Sequence, residues 1–151
     1  MRIVIMGCGR VGAALASEYS RQGADVTVLD VDPAAFRFLS DDFTGTKVVG
    51  SGIDPDLLKK VHLDRADAFV SATRGDNRNV MAAQIAKHIY GVKVVATRVF
   101  DPLREEMYRN MGLRTINPTR VQSKRLKSVI DASSDEEANE MAREFMKQDG
   151  F

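Results

Sequence analysis

Gly7-Cys8-Gly9-Arg10-Val11-Gly12 is a G-x-G-x-x-G hexapeptide directly after the apolar run Arg2–Met6. That spacing suits a pyrophosphate. The first glycine makes a tight turn, the second admits a close backbone approach, and the third lets a helix pack on a strand. A helix opening at this point also presents free N–H groups to an anion. Asp30 closes the next apolar run, near the ~20-residue offset at which an acid accepts hydrogen bonds from ribose hydroxyls and repels a 2′-phosphate. The pair therefore favours NAD or another adenine nucleotide over NADP. Asp32 is read as the cap of a helix beginning at Pro33.

Two side chains inside the loop carry chemistry of their own. Cys8 sits at a helix N-terminus, where a thiol can be acidified. No base is placed near it by sequence, so a small filler side chain is the expectation. Arg10, in the first helical turn, can fold over a phosphate, pair with an acid or face solvent. His62 and His88 fall near helix ends, where the dipole favours them.

These residues need a scaffold, and the chain supplies one by alternation. Strands are expected at Arg2–Met6, Asp25–Asp30, Thr46–Val49, Asp67–Ala72, Lys93–Val99 and Arg114–Asn117. Helices are expected at Arg10–Arg21, from Pro33 to about Asp41, at Asp54–Val61, Asp76–Tyr90, from Asp101-Pro102 to Gly112, and at Thr119–Ile130. An acidic helix follows over about Glu136–Gln148, capped by Ser134 or Asp135. Six strands alternating with helices, the strands being continuous apolar runs, predict an α/β fold. It is a Rossmann-like, doubly wound, parallel six-stranded sheet with a short C-terminal helix. The expected division is residues 1–130 for the nucleotide-binding domain and 131–151 for the acidic extension.

Composition narrows the function. The 151 residues are 44% hydrophobic and 28% charged, a globular balance. Lys plus Arg number 22 against 21 for Asp plus Glu, which argues against a general polyanion binder. One cysteine precludes an intrachain disulfide, and one Cys with two His supplies no ordinary zinc set. No apolar run approaches the ~20 residues of a membrane span, and the expectation is a cytoplasmic protein. A dehydrogenase needs a substrate site and an acid–base group beside the nicotinamide. The fold consumes most of the chain, so binding without catalysis is the expectation. The rivals are a small NAD-dependent oxidoreductase, a methyltransferase and a nucleotide-binding dimerisation module.

An ordered set of short motifs resembles the RCK/KTN (TrkA-N) nucleotide-binding domain of potassium-transport regulatory subunits. It runs through Gly7–Gly12, Val28-Leu29-Asp30, Val48-Val49-Gly50, Leu57-Leu58 and Ala66-Asp67-Ala68. It continues with Thr73, Asp76-Asn77-Arg78-Asn79, Ala96-Thr97-Arg98-Val99, Asp101-Pro102, Met111-Gly112-Leu113 and Asn117-Pro118. The resemblance implies a cytoplasmic gating subunit, peripheral to the inner face of the membrane through a channel or transporter partner. It implies binding of NAD(H) or ATP/ADP/AMP and no enzymatic activity. It also implies a homodimer or ring built through the helix about Thr119–Ile130, whose Arg120, Lys124, Arg125 and Lys127 form a basic face. The implied contacts are Gly7, Cys8, Gly9, Arg10, Val11 and Gly12 around the phosphates, Asp30 and Val31 at the ribose, Gly50 and Ser51 near the base, Thr73 in the cleft, and Arg98 near the phosphates. Added phosphate charge would draw Arg10 and Arg98 and so carry the signal. Gly50-Ser51-Gly52 departs from the family's Gly-Asp at that place, and the family's carboxyl-terminal ligand-binding domain has no counterpart in these residues.

Overall fold

The computed structural model describes residues 1–148, so the last three positions of the expected acidic extension lie outside the described residues. Six parallel strands form one sheet in the order β3-β2-β1-β4-β5-β6. They are β1 (Arg2–Met6), β2 (Asp25–Asp30), β3 (Thr46–Val49), β4 (Ala68–Ser71), β5 (Val94–Arg98) and β6 (Arg114–Ile116). The helices are α1 (Arg10–Arg21), α2 (Pro55–Lys60), α3 (Asp76–Gln84), α4 (Pro102–Asn110), α5 (Pro118–Ile130) and α6 (Asp135–Gln148). The expected α/β class and doubly wound parallel sheet are what the chain forms. The strand order reverses beside β1, between β2 and β4, and such a switch point opens a crevice at the carboxyl ends of the strands.

The apolar runs are continuous because both sheet faces are covered. Along β1, Val4 and Met6 join a core with Leu29, Leu58 and Phe69. Ile3 and Ile5 join the opposite core with Ala13, Ala16 and Val28. Successive strand residues point to opposite faces, so a strand buried on both sides must be apolar at every position.

Two elements differ from the expectation. The segment after β2 is a 3₁₀ helix over Pro33–Phe38, not a longer α-helix. Asp32 caps it by accepting from the Ala34 N–H, as expected, but none of its residues is fully buried. Only Ala35 and Phe36 of the segment pack against the core, a face short enough for one 3₁₀ segment to seat. The helix expected to reach Tyr90 is α-helical through Gln84 and then takes a π-helical turn over Ile85–Ile89. There the Tyr90 N–H donates to the Ile85 carbonyl oxygen at 3.2 Å.

The chain divides into two compact units, Met1–Ile116 and a second beginning at Asn117. In the second, the Asn117 side chain caps α5 and Pro118 is its first residue. The α6 start pairs reciprocally: Ser134 Oγ accepts from the Glu137 N–H, and the Glu137 carboxylate accepts from the Ser133 N–H at 2.8 Å. The Arg125 guanidinium lies 5.0 Å from the Phe145 ring centre.

The glycine loop is wedged into the first unit. A Cβ on Gly12 would stand 1.8 Å from the Gly7 carbonyl oxygen. Glycine to alanine inside a helix ordinarily stabilises by about 0.5–1 kcal/mol. Here the sign reverses: Gly12→Ala is expected to lose about 3 kcal/mol or more by overpacking, read as a lower urea midpoint.

Cys8 is wholly buried in the core with Ile3 and Ile5, so the filler role expected of its side chain is the one it has. Burial pushes its thiol from 9.0 up to about 11; the Asp30 carboxylate adds to the rise and Lys47 opposes it. In the unfolded chain the thiol ionises near its ordinary value, while the folded chain keeps the proton. Between about pH 9 and 11 the native state therefore binds more protons, and stability falls as pH rises. This group's share is of the order of 2–3 kcal/mol. Denaturation midpoints of wild type and Cys8→Ala are expected to converge across that window, and the native thiol is expected to resist disulfide reagents at pH 8.

Candidate nucleotide cleft

The crevice at the carboxyl ends of the strands is a cleft of about 320 Å³. Gly7, Gly9, Asp30, Val31, Gly50 and Ser51 line it, with Thr73 on the β4 side. Seven of the expected site residues thus share one cavity, although they are spread over four loops.

Its floor is the glycine loop. Gly7 has φ +100°, a conformation that costs a side-chain-bearing residue, and its N–H donates to the Leu29 carbonyl oxygen at 2.7 Å. A Cβ there would also meet the Thr73 backbone nitrogen at 2.9 Å, so the loop lies directly against the β4 wall. Gly9 caps α1 without any side-chain hydrogen bond, and the first turn of α1 holds no acid. A helix start left in that state offers its N–H groups and positive dipole end to an anion. A Cβ on Gly9 would meet nothing within 4 Å.

Asp30 joins three segments at the β2 end. Its Oδ2 accepts from the Cys8 N–H at 2.7 Å and its Oδ1 from the Asp32 N–H at 2.9 Å. Its carbonyl oxygen accepts from the Gly50 N–H at 2.8 Å. Each carboxylate oxygen accepts more than one hydrogen bond, so capacity remains for ribose hydroxyls. Ser51 Oγ makes only a long contact to the Ile53 N–H, 3.5 Å, and is available as a neutral donor or acceptor.

Five of the expected residues do not line the cleft. The Cys8 side chain faces the core, and its N–H is held by Asp30. Gly12 is packed under the Gly7 carbonyl. Arg10 and Val11 lie on the exposed side of the α1 start. Arg98 is half-buried behind the wall: its Nη2 donates to the Thr73 carbonyl oxygen at 2.7 Å, and its guanidinium lies 4.5 Å from the Phe100 ring centre. Burial pushes the Arg98 guanidinium down from its ordinary value, Asp76 opposes that, and Arg74 adds to it.

The cations that do line the cleft are Arg37, Arg74 and Arg78. Sequence reasoning passed over Arg37 and Arg74 and quoted Arg78 only within its motif. Arg37 sits on the 3₁₀ helix beside Phe38, with its guanidinium 4.9 Å from that ring, and both line the cleft. Arg74 directly follows Thr73, and that adjacency was the available signal. Asp32 caps the 3₁₀ helix and lines the cleft as well. Among the described residues no group of three or more His, Cys, Asp or Glu is gathered to hold a metal. Among them, too, no helix is long and apolar enough to cross a membrane.

The TrkA-N domain family matches residues 3–118. The Trk system potassium uptake protein TrkA of Streptomyces coelicolor is 46% identical over 120 residues, covering 80% of this chain and 54% of that protein. The TrkA homolog of Methanothermobacter thermautotrophicus is 30% identical over 131 residues, covering 86% of this chain and 60% of that one. The chain therefore spans little more than half the length of these relatives. Among solved structures, the TrkA-N domain of the Escherichia coli inner membrane protein ybaL superposes with TM-score 0.75 at 13% identity, covering 86% of this chain and 96% of that one. The Shewanella denitrificans Kef CTD in an AMP-bound form superposes with TM-score 0.73 at 21% identity, covering 99% and 93%. GsuK bound to ADP gives TM-score 0.73 at 20% identity, covering 86% and 34%. These likenesses at low identity establish the shared fold, and the family match over most of the length establishes descent: the chain belongs to the TrkA-N family.

Proposed function

We propose that this chain is a nucleotide-binding regulatory domain for potassium transport. It takes an adenine nucleotide, NAD(H) or ATP/ADP/AMP, in the cleft. The observation that carries the reading is the convergence of Asp30 and the uncapped α1 start on one cavity. In it, the N–H groups at the α1 start, behind Gly7 and Gly9, receive the phosphates. Asp30 receives the ribose hydroxyls, beside Val31. The Gly50-Ser51 segment faces the base, with serine supplying a neutral hydrogen bond where the family has a carboxylate. Thr73, Arg74 and Arg78 form the opposite wall.

The cleft's titratable side chains are Asp30, Asp32 and three arginines. Asp30 holds two backbone N–H groups and Asp32 caps a helix. That supports binding rather than proton transfer. The potassium-uptake names of the relatives, and the ADP and AMP in the titles of two structural neighbours, support the ligand class and the setting. The setting we propose is cytoplasmic, on the inner face of a membrane through a channel or transporter subunit. The domain dimerises or forms a ring through the helix about Thr119–Ile130. Phosphate number is sensed first by Arg74 and Arg78, which already line the cleft, while Arg10 and Arg98 would have to move to reach it.

Calorimetry with NAD, NADH, ATP, ADP and AMP tests the reading. At least one is expected to bind, and absence of binding by all five sinks it. Asp30→Ala is expected to weaken binding about tenfold or more, the scale of a lost charge-assisted hydrogen bond. Gly9→Ala separates fold from site. Its Cβ meets no protein atom, so the melting temperature is expected to hold while nucleotide affinity falls, because the methyl group occupies the phosphate approach.

A further inference from the structure

Asn79 is wholly buried, and every polar atom of its side chain is engaged. Its Oδ1 accepts from the Thr73 N–H at 2.9 Å and from Thr73 Oγ1 at 2.6 Å. Its Nδ2 donates to the Thr73 carbonyl oxygen at 2.9 Å and to the Arg98 carbonyl oxygen at 3.0 Å. Ser71 Oγ donates to the Asn79 carbonyl oxygen at 2.8 Å. A buried amide with no spare capacity holds its neighbours in one arrangement, because any shift strands a donor or acceptor away from water.

The two segments it holds have different surroundings. Thr73 lines the cleft and lies against Gly7. Arg98 ends β5, and the chain beyond it leads into α4. Asp76 stands three residues before Asn79, on the same side of α3. Its carboxylate accepts from the Phe100 N–H and the Asp101 N–H, both at 2.9 Å. Asp101 in turn caps α4, accepting from the Leu103 N–H at 2.9 Å on its side chain and from the Glu105 N–H at 3.2 Å on its carbonyl oxygen. The first turn of α3 is therefore fastened to the cleft wall through Asn79 and to the start of α4 through Asp76.

We infer that Asn79 is a positioning residue for the Thr73 wall of the cleft and that, with Asp76, it carries the seating of a nucleotide there to the first turn of α4. This rests on the nucleotide reading above. A ligand shifts such an element only by binding one of its arrangements better than another. A phosphate on the glycine loop meets Thr73 in the arrangement that Asn79 dictates, so tightening at Thr73 tightens the Arg98–Asp101 segment.

Residue-resolved hydrogen exchange with saturating NAD, NADH, ATP, ADP and AMP, each in parallel, tests this. In the wild type, nucleotide is expected to slow exchange at Gly9–Gly12 and also at Leu103 and Glu105, neither of which lines the cleft. Asp76→Ala is expected to keep affinity within about twofold and to keep the glycine-loop protection, while losing the response at Leu103 and Glu105. Asn79→Ala is expected to weaken affinity about tenfold or more, the scale of stranded buried polar groups. Protection at the glycine loop with none at α4 in the wild type, or an undiminished α4 response in Asp76→Ala, overturns the coupling and leaves nucleotide binding standing. Unchanged affinity in a folded Asn79→Ala overturns the positioning role. Protection nowhere with any of the five nucleotides overturns both readings together.

Discussion

The Asp30 carboxylate is the constraint on which the cleft depends. It accepts the Cys8 N–H from the glycine loop and the Asp32 N–H from the turn after β2, while its own carbonyl oxygen accepts the Gly50 N–H. The glycine loop and the turn after β2 are thereby brought to its side chain, and the loop after β3 to its backbone carbonyl, all at the end of a buried strand. A carboxylate in that position has to be satisfied, and backbone N–H groups do so without importing another charge. The same bonds fix the glycine loop at Cys8, whose side chain lies in the core, while Gly9, with no side chain, leaves the α1 start uncapped. Asp30 thus shapes the cleft in the protein alone, and the same carboxylate faces into it.

The opposite wall is built on the same principle with a neutral group. Asn79 holds both ends of the Thr73 peptide from beneath and fastens them to the end of β5. Gly7 lies between the two walls, its backbone against Thr73 and its N–H on Leu29. Glycine is required there on two counts: φ is +100°, and a Cβ would meet the Thr73 nitrogen. The cleft is then a gap between β2 and β4 whose sides are tied by polar groups rather than packed by apolar ones. That is why it sits at the strand ends, beyond the two hydrophobic layers.

The distribution of arginines follows from these walls. Arg98 is the last residue of β5, and its guanidinium turns under the Thr73 carbonyl and over Phe100. Arg10 lies on the outer side of the α1 start. Arg74 and Arg78 stand at the mouth instead, one in the loop after Thr73 and one in the first turn of α3, with Arg37 across from them on the 3₁₀ helix. Three arginines thus line a cleft that also holds Asp30 and Asp32, in a chain that as a whole is nearly neutral, at +1. This combination favours a small anionic ligand over an extended polyanion.

Much of this was legible in the sequence, and for short-range reasons. Glycine spacing, a terminal acid on an apolar run, and strand–helix alternation are written in consecutive residues, so the fold class, the loop and Asp30 could be read directly. The motif order identified the family for the same reason. Tertiary structure alone decided which side chains meet. A residue's place on the chain does not tell which way a guanidinium turns, so Arg10 and Arg98 were expected at the phosphates while Arg37, Arg74 and Arg78 line the cleft. Nor does it show that the amide of Asn79 spans two strand ends, because its partners Thr73 and Arg98 come together only when β4 and β5 pair. The 3₁₀ helix after β2 was likewise decided by packing: Pro33 and its cap announced a helix start, but the short stretch that seats Ala35, Phe36 and Leu39 on the core determined how far it ran. Local chemistry determined the parts; the sheet order determined which of them share a cavity.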